Sequence, residues 1–373
     1  MIVVGGGIMG ASTALFLRQR GKSVILLERD LIGQKASGVN FGNVRRQGRR
    51  IEMLPLAHRS MGIWHRLPEL VGETCEFVPT GHMRLAYDAE RAAGMEAYAQ
   101  EAAAAGLPLE FLASNEMRSR YDWIGKEVYA ACLSPEDGHA NPRLLAPAFG
   151  RAAVRAGAEI MENAEVLSMD KEGDDFVVAI RDRESVRAPV LVVTAGAWGG
   201  RMAEAMGEPV PLIIAGPQMS VTEPLPYRIR PTVGVFTQEV RETVYFRQVE
   251  RGNIVIGGCI RAPLSAESTI AKALPEAVLM QMEQMRRIMP AIDKVHVIRT
   301  WSGVESYLPD DRPIIGPSKT TPGLFYAFGF CGAGFQIGPG VGDVMAELIA
   351  TGSTTTPIEP YRISRFCEQG GTT

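Results

Sequence analysis

The sequence predicts an α/β fold with a second, α+β unit of mixed sheet interleaved into it, and three observations predict this. A short β-branched run, Ile2-Val3-Val4, leads straight into a glycine cluster and then an apolar helical pattern. A second buried-strand run, Leu191-Val192-Val193-Thr194-Ala195-Gly196, returns far along the chain and ends in a turn of small residues. From Phe77 to His139, and again from Pro217 to Met289, the pattern changes to alternating strands and amphipathic helices. At 373 residues the chain suits about two domains of roughly 150 residues. The expected partition is 1–76, 140–215 and 296–373 for the first, discontinuous unit, with 77–139 and 216–295 for the second.

The first unit begins Gly5-Gly6-Gly7-Ile8-Met9-Gly10, followed by Ala11, Ala14 and Leu15 at helical spacing, with Gly21 as a stop. Ser23-Val24-Ile25-Leu26-Leu27-Glu28 then reads as a second buried strand ending in an acid. Gly5 permits the tight turn, Gly7 lets the backbone approach a pyrophosphate, and Gly10 lets the helix pack on the strand. The helix N-terminus offers N–H groups to phosphates. Glu28 is placed to accept hydrogen bonds from ribose hydroxyls, and its charge disfavours a 2′-phosphate. The unit is a Rossmann-like dinucleotide fingerprint, one that by itself does not separate FAD from NAD.

Composition removes other classes. Hydrophobic residues make up 46% and charged residues 22%, which excludes a disordered or fibrous chain. The net charge of −3 without a basic patch argues against a nucleic-acid partner. Cys75, Cys132, Cys259, Cys331 and Cys367 are scattered, so neither a disulfide framework nor a metal site is expected. That cysteine usage fits the cytoplasm, with peripheral docking at the inner membrane left open. The uncharged stretches 1–17 and 320–342 are too rich in Gly and Pro to read as spanning helices.

Glycines elsewhere separate the two dinucleotides. Ala36-Ser37-Gly38-Val39-Asn40-Phe41-Gly42-Asn43-Val44-Arg45-Arg46 forms a second loop of small residues. Gly329-Phe330-Cys331-Gly332-Ala333-Gly334-Phe335-Gln336 and Gly338-Pro339-Gly340 form a third. Backbone openings in distant segments suit a long ligand touched at many points, hence FAD. In the second unit, Val244–Val249 and Ile254–Gly257 pair naturally as a hairpin across Arg251-Gly252-Asn253. Leu274–Met289 reads as a helix whose Leu279, Met282 and Met285 pack in the core.

With these segments in hand, the chain resembles the D-amino-acid oxidase family of FAD-dependent oxidoreductases over nearly its whole length. The resemblance rests on GGGIMGASTALFLRQRGKSVILLER, ASGVNFGNVRR, VLVVTAGAW at 190–198, RTWSGVESYLPDDRPIIGP at 299–317 and GFCGAGFQIGPGVG at 329–342. Within the family it is most similar to flavin subunits of bacterial amine dehydrogenases of the hydrogen cyanide synthase, opine oxidase and D-hydroxyproline dehydrogenase type. The NFGNVRRQGR and DGHANP stretches point towards the last of these.

The resemblance implies noncovalent FAD, held by Gly5, Gly7, Ile8, Met9, Gly10, Glu28, Arg29, Ser37, Asn40, Gly42 and Asn43. It adds Val166 beside the adenine, and Ala195, Gly196 and Trp198 at the strand-to-helix turn. Gly329, Gly332, Gly334, Phe335 and Gln336 fall under the isoalloxazine, where a helix N-terminus stabilises the reduced ring. It implies oxidation of a C–N bond of a small amino or imino acid by hydride transfer to flavin N5. The electrons then pass to a quinone, a partner subunit in a hetero-oligomer, or O₂.

The resemblance places Tyr245 facing the substrate, with Arg247 two residues along on the same strand face. Arg247 either clamps a carboxylate or pairs with Glu239 or Glu250. Arg45 or Arg46 approaches the flavin edge, the other reading being a salt bridge or a phosphate contact. The chain departs from family members at three positions. Glu305 stands where glycine oxidase has its carboxylate-binding Arg, and so would meet the amine or a hydroxyl instead. Val255 stands where sarcosine oxidase has an oxygen-activating Lys, which favours a dehydrogenase. Gly303 stands at the covalent-flavin Cys. Cys331 is read as a packing residue, and His139 as part of a turn or helix cap.

Overall fold

A computed structural model describes residues 1–367, so the last part of the expected first unit, 368–373, lies outside the described residues. The chain's first strand, Ile2–Val4, is the centre of a six-stranded sheet. It pairs in parallel with Ile25–Leu27 on one side and Leu191–Val193 on the other. Glu159–Met161 and Leu324–Phe328 extend the parallel array, and Ile314–Pro317 closes one edge antiparallel. Parallel strands buried on both faces carry near-continuous apolar runs, as Ile2-Val3-Val4 and Leu191-Val192-Val193 do.

Helix Ile8–Gln19 starts at Gly7, directly after the first strand, and every residue from Ile8 to Leu17 is buried. A helix hydrophobic on all sides belongs in a core. This one lies between helices Pro142–Arg155 and Gly334–Thr351. Burial of side chains such as Leu15, Phe16 and Leu17 contributes about 1.5–3 kcal/mol each. Gly338, Gly340 and Gly342 are helix-packing residues. A Cβ on Gly338 would come within 2.8 Å of Ile8, and one on Gly340 within 2.7 Å of Ser60. That segment's second glycine group therefore seats helix on helix.

The second unit centres on an eight-stranded mixed sheet. From edge to edge its strands are Val297–Ser302, Gln218–Pro224, Asn253–Gly258, Val244–Gln248, Thr232–Val235, His82–Ala86, Ala130–Ser134 and Glu110–Leu112. The expected hairpin is present, Tyr245 opposite Gly257 and Gln248 opposite Ile254. Two details differ from the expectation. Val297–Ser302, assigned by the sequence to the first unit, pairs with Gln218–Pro224 in this sheet. Helix Pro275–Ile288 buries Met285 and Ile288, but Leu279 is 71% exposed, so the apolar stripe runs one position off the expected one.

Two small sheets lie beside these, the second joined also by Ala262–Pro263 along Ala215-Gly216. Asn43–Val44 pairs with Gly138–His139, and Ile213–Gly216 pairs with Glu305–Tyr307. The first of these ties the Asn43–Val44 loop to Gly138–His139, and residues of both small sheets, Asn43 and Glu305 among them, line the site.

Candidate active site

A cavity of about 650 Å³ runs from the glycine turn of the first strand to the face of the eight-stranded sheet. That volume lies within the range usual for cofactor and ligand sites. At one end its wall is Gly5, Gly7, Ile8 and Met9. Gly5 has φ +101°, which only glycine adopts without strain. Gly10 lies behind this wall. Its missing side chain leaves room for the Gly5 carbonyl, and a Cβ there would lie 2.6 Å from Thr194 Oγ1. Ser37 Oγ accepts the Ile8 N–H at 2.9 Å and so ties the second loop to the helix start.

Glu28 holds the turn as well as lining the cavity. Its Oε2 accepts the Gly6 N–H at 2.6 Å and its Oε1 the Asp30 N–H at 2.8 Å. Burial raises its pKa, and these two N–H donors oppose the rise. Arg29 stacks 4.3 Å from the Trp198 ring centroid, and both line the same wall with Val166, Ala195 and Gly196. Farther along are Asn40, Asn43, Gly329, Gly332, Gly334 and Phe335. Asn43 Oδ1 is buried without a hydrogen-bond partner among the described residues. A buried acceptor left open beside a cavity fits a ligand that brings a donor.

Three expected contacts lie off the cavity. Gly10 packs helix on strand, as above. Gly42, φ +83°, fits under the Ala140 carbonyl and the Arg247 guanidinium. Gln336 faces away. Its amide donates to the Ala57 carbonyl at 2.9 Å and its Oε1 accepts from Arg49 Nε at 3.1 Å.

The far end is built across the second sheet by one transverse row. Arg84, Gly234, Tyr245, Gly257 and Met219 face one another in register on adjacent strands. Gly257 is required there because a Cβ would lie 2.6 Å from Met219 Sδ and closer still to the Tyr245 ring. A Cβ on Gly234 would meet nothing nearer than 3.8 Å, so that position leaves room between Tyr245 and Arg84. Tyr245 meets Phe41 edge-on at 4.8 Å, and burial pushes its pKa up to about 12, so it stays a hydroxyl donor.

Glu305 closes this end. Its Oε1 accepts the Gly332 N–H at 2.9 Å and its Oε2 the Tyr307 hydroxyl at 3.2 Å. Burial raises its pKa, with the Gly332 and Tyr307 donors opposing. Arg261 lies 4.2 Å over the Tyr307 ring.

The arginines divide. Arg45 lines the cavity, whereas Arg46 is buried in an ion pair with Asp137 at 3.0 Å and also meets Glu136 at 2.9 Å. Arg247 is buried, but not at the cavity. It donates to the Phe41 carbonyl at 2.8 Å and contacts His139 Nδ1 at 3.3 Å, meeting neither Glu239 nor Glu250. Its neighbours hold the Asn40–Asn43 loop in place, so its role is support of the wall. His139 sits in the short strand opposite Asn43, and the helix cap is Asn141, whose Oδ1 accepts the Arg143 N–H at 3.1 Å. Val255 is buried beside Phe41 and Met219, and a Cβ on Gly303 would meet Val39. Cys331 lines the cavity, and burial raises its thiol to about 11, a packing thiol.

Arg49, His82, Arg84, Arg261 and Tyr307 also line the cavity, and the sequence reading missed all five. The signal for two of them was available. His82 and Arg84 alternate with the apolar Met83 and Leu85, so the strand His82–Ala86 turns one polar face inward.

Residues 1–348 match the model of the DAO family, FAD dependent oxidoreductase, and the chain belongs to that family. It is 26% identical over 381 residues to mitochondrial sarcosine dehydrogenase of Mus musculus, covering 98% of this chain and 41% of that protein. It thus spans about two fifths of that relative's length. It is also 26% identical to an opine oxidase subunit of Rhizobium meliloti, covering 99% of this chain and 98% of that one. The crystal structure of L-proline dehydrogenase from P. horikoshii superposes with a TM-score of 0.91 at 27% identity, covering 98% and 97% of the two chains.

The family cofactor fits the residues present: the glycine turn, the helix N-terminus at Gly7, the open acceptor of Asn43 and a cavity of suitable volume. No helix among the described residues is long and apolar enough to cross a membrane.

Proposed function

We propose that the chain is an amine dehydrogenase that binds FAD noncovalently and oxidises the C–N bond of a small amino or imino acid. The observation that carries this reading is the continuity of one cavity from Gly5, Gly7 and Glu28 to Tyr245, Glu305 and Arg45. FAD, when bound, supplies the two-electron oxidant that takes the substrate's α-hydrogen together with its bonding electron pair.

The chain's own residues do the rest. Glu305 accepts the amine N–H, and its raised pKa lets it hold the proton as the imine forms. Tyr245, kept protonated, donates to a substrate oxygen. Arg45 meets the α-carboxylate. Phe41, Met219 and Tyr245 exclude water from the reacting carbon. The imine leaves and hydrolyses or cyclises in solution.

Val255 supports a dehydrogenase over an oxidase, because no cation at that position stabilises reduced oxygen anions. Relatives named as an opine oxidase subunit and a sarcosine dehydrogenase support amine donors, and the first supports a hetero-oligomer that passes electrons to a partner. Hydroxyproline-type imino acids belong to the substrate class so defined. The free thiols Cys75, Cys132, Cys259 and Cys331 agree with a reducing, cytoplasmic setting.

Anaerobic mixing with D- and L-amino acids, sarcosine, prolines and hydroxyprolines tests the proposal. Bleaching of the flavin bands by at least one amine is expected, with slow reoxidation in air. No bleaching by any amine would overturn the amine reading, and rapid reoxidation would overturn the dehydrogenase reading.

A further inference from the structure

The cavity holds more positive charge than one carboxylate answers. Arg45, Arg49 and Arg84 line it together, and among the described residues none makes an ion pair. Arg49 is spent on protein acceptors, the carbonyls of Arg45 and Ala333 and Oε1 of Gln336. Arg45 donates to the Gln47 carbonyl, and Arg84 reaches the Val235 carbonyl at 3.4 Å. Both keep most of their N–H groups free for a ligand.

These last two converge. A Cβ on Gly48 would lie 2.6 Å from Arg84 Nη1 and 3.4 Å from Arg45 Nη1, so the two guanidinium groups approach one another beside Gly48. Burial lowers the pKa of both, and the Arg45 charge pushes Arg84 further down, to about 10. His82 adds no charge. Its Nδ1 meets Gln47 Oε1 at 2.8 Å, the Gln47 amide being oriented by its bond to the Cys132 carbonyl, and burial keeps the ring neutral. Arg46, one residue away, shows the contrast, for it has both Asp137 and Glu136.

Two like charges brought together without ion pairs of their own, with only the Asp137 carboxylate that already pairs with Arg46 in range of Arg45, mark a place where the ligand supplies the anion. We propose that the substrate is an amine bearing two carboxylates. Arg45 answers the α-carboxylate, and Arg84 holds the second one beside Gly234. The amine lies towards Glu305, across Tyr245. This rests on the amine-oxidation reading above and narrows it, because a hydroxyproline-type substrate leaves one guanidinium unanswered.

The test compares substrates that differ by one carboxylate, using the FAD-loaded protein. Sarcosine and iminodiacetate are one such pair, and an N-(carboxyethyl) amino acid against its N-ethyl counterpart is a second. Anaerobic flavin reduction should favour the dicarboxylate by at least about 30-fold in the rate at low substrate. Binding of unreactive succinate or glutarate, followed by perturbation of the flavin spectrum, should exceed that of propionate by a similar factor.

Arg84→Met should lower dicarboxylate reduction at least about 10-fold more than monocarboxylate reduction, so that the preference falls. Arg84→Lys should restore part of it, and it serves where the Met variant folds poorly. Equal efficiency for mono- and dicarboxylates in the unsubstituted protein overturns the dicarboxylate proposal alone. So does a parallel loss for both classes in Arg84→Met. Failure of every amine to reduce the flavin, with dicarboxylates still bound tightly, overturns the amine reading and leaves the anion site standing.

Discussion

Gly10→Ala is the sharpest perturbation of the cofactor end, because it adds one methyl group against the Gly5 carbonyl, a backbone group that no rotamer change can move. The added Cβ would lie 2.6 Å from Thr194 Oγ1 and 3.1 Å from the Gly5 carbonyl carbon, and closer still to the Gly5 oxygen. Clearing Thr194 alone needs about 0.7 Å against a normal C···O contact of about 3.3 Å, and clearing Gly5 needs more. The helix must lift from its strand, carrying Gly7, Ile8 and Met9 away from the pyrophosphate position. Overpacking of this kind costs about 1–3 kcal/mol, and if it falls mainly on the FAD-bound state the affinity drops about 5- to 150-fold. Fluorescence titration of the apoprotein with FAD measures that drop, with thermal unfolding of the apoprotein as the control for folding. Gly62→Ala, in an open stretch of helix Leu54–Trp64, should leave affinity unchanged and add about 0.5–1 kcal/mol of stability. An unaltered FAD affinity in Gly10→Ala would refute the assignment of this turn to the cofactor.

Three further outcomes follow from the same geometry. Gly257→Ala would displace Tyr245 and Met219, so amine reduction of the flavin should slow by about 10- to 100-fold at unchanged FAD affinity, as anaerobic stopped flow against FAD titration would show. Asp137→Ala leaves Arg46 buried without its main counterion and also orphans the N–H groups of Arg46 and Gln47. A loss of about 3–5 kcal/mol in urea unfolding is expected. His139 has its pKa lowered from 6.5 to about 3 by burial and by Arg247, so its contribution is present above 6.5 and is lost as pH falls towards 3. Between pH 7.5 and 5.5 the protein should lose about 1.4 kcal/mol through this group, a slope that His139→Gln removes when unfolding is compared across pH.

The first unit was legible because its chemistry is written in consecutive residues. The strand Ile2–Val4, the glycine turn and Glu28 lie within one short segment, and their roles follow from local geometry. The hairpin carrying Tyr245 was legible for the same reason. What stayed hidden was everything decided by contacts distant in sequence. Arg45 and Arg46 are identical in type and adjacent, yet only Asp137, some ninety residues away, determines which of them is neutralised. Arg247 shares a strand face with Tyr245, but the Asn40–Asn43 loop folds over it and takes it from the cavity. Gly338 and Gly340 look like Gly332 and Gly334 in sequence, and only the packing of Ile8 and Ser60 against them separates a helix seat from a ligand wall.

The central claim is that these separated glycine segments and the Tyr245–Glu305 end enclose one noncovalent FAD. Denaturing the purified protein and separating the soluble cofactor tests it most directly. Release of one FAD per chain, leaving a colourless polypeptide, is the predicted result. Release of a nicotinamide dinucleotide, or flavin retained on the chain, would contradict the account.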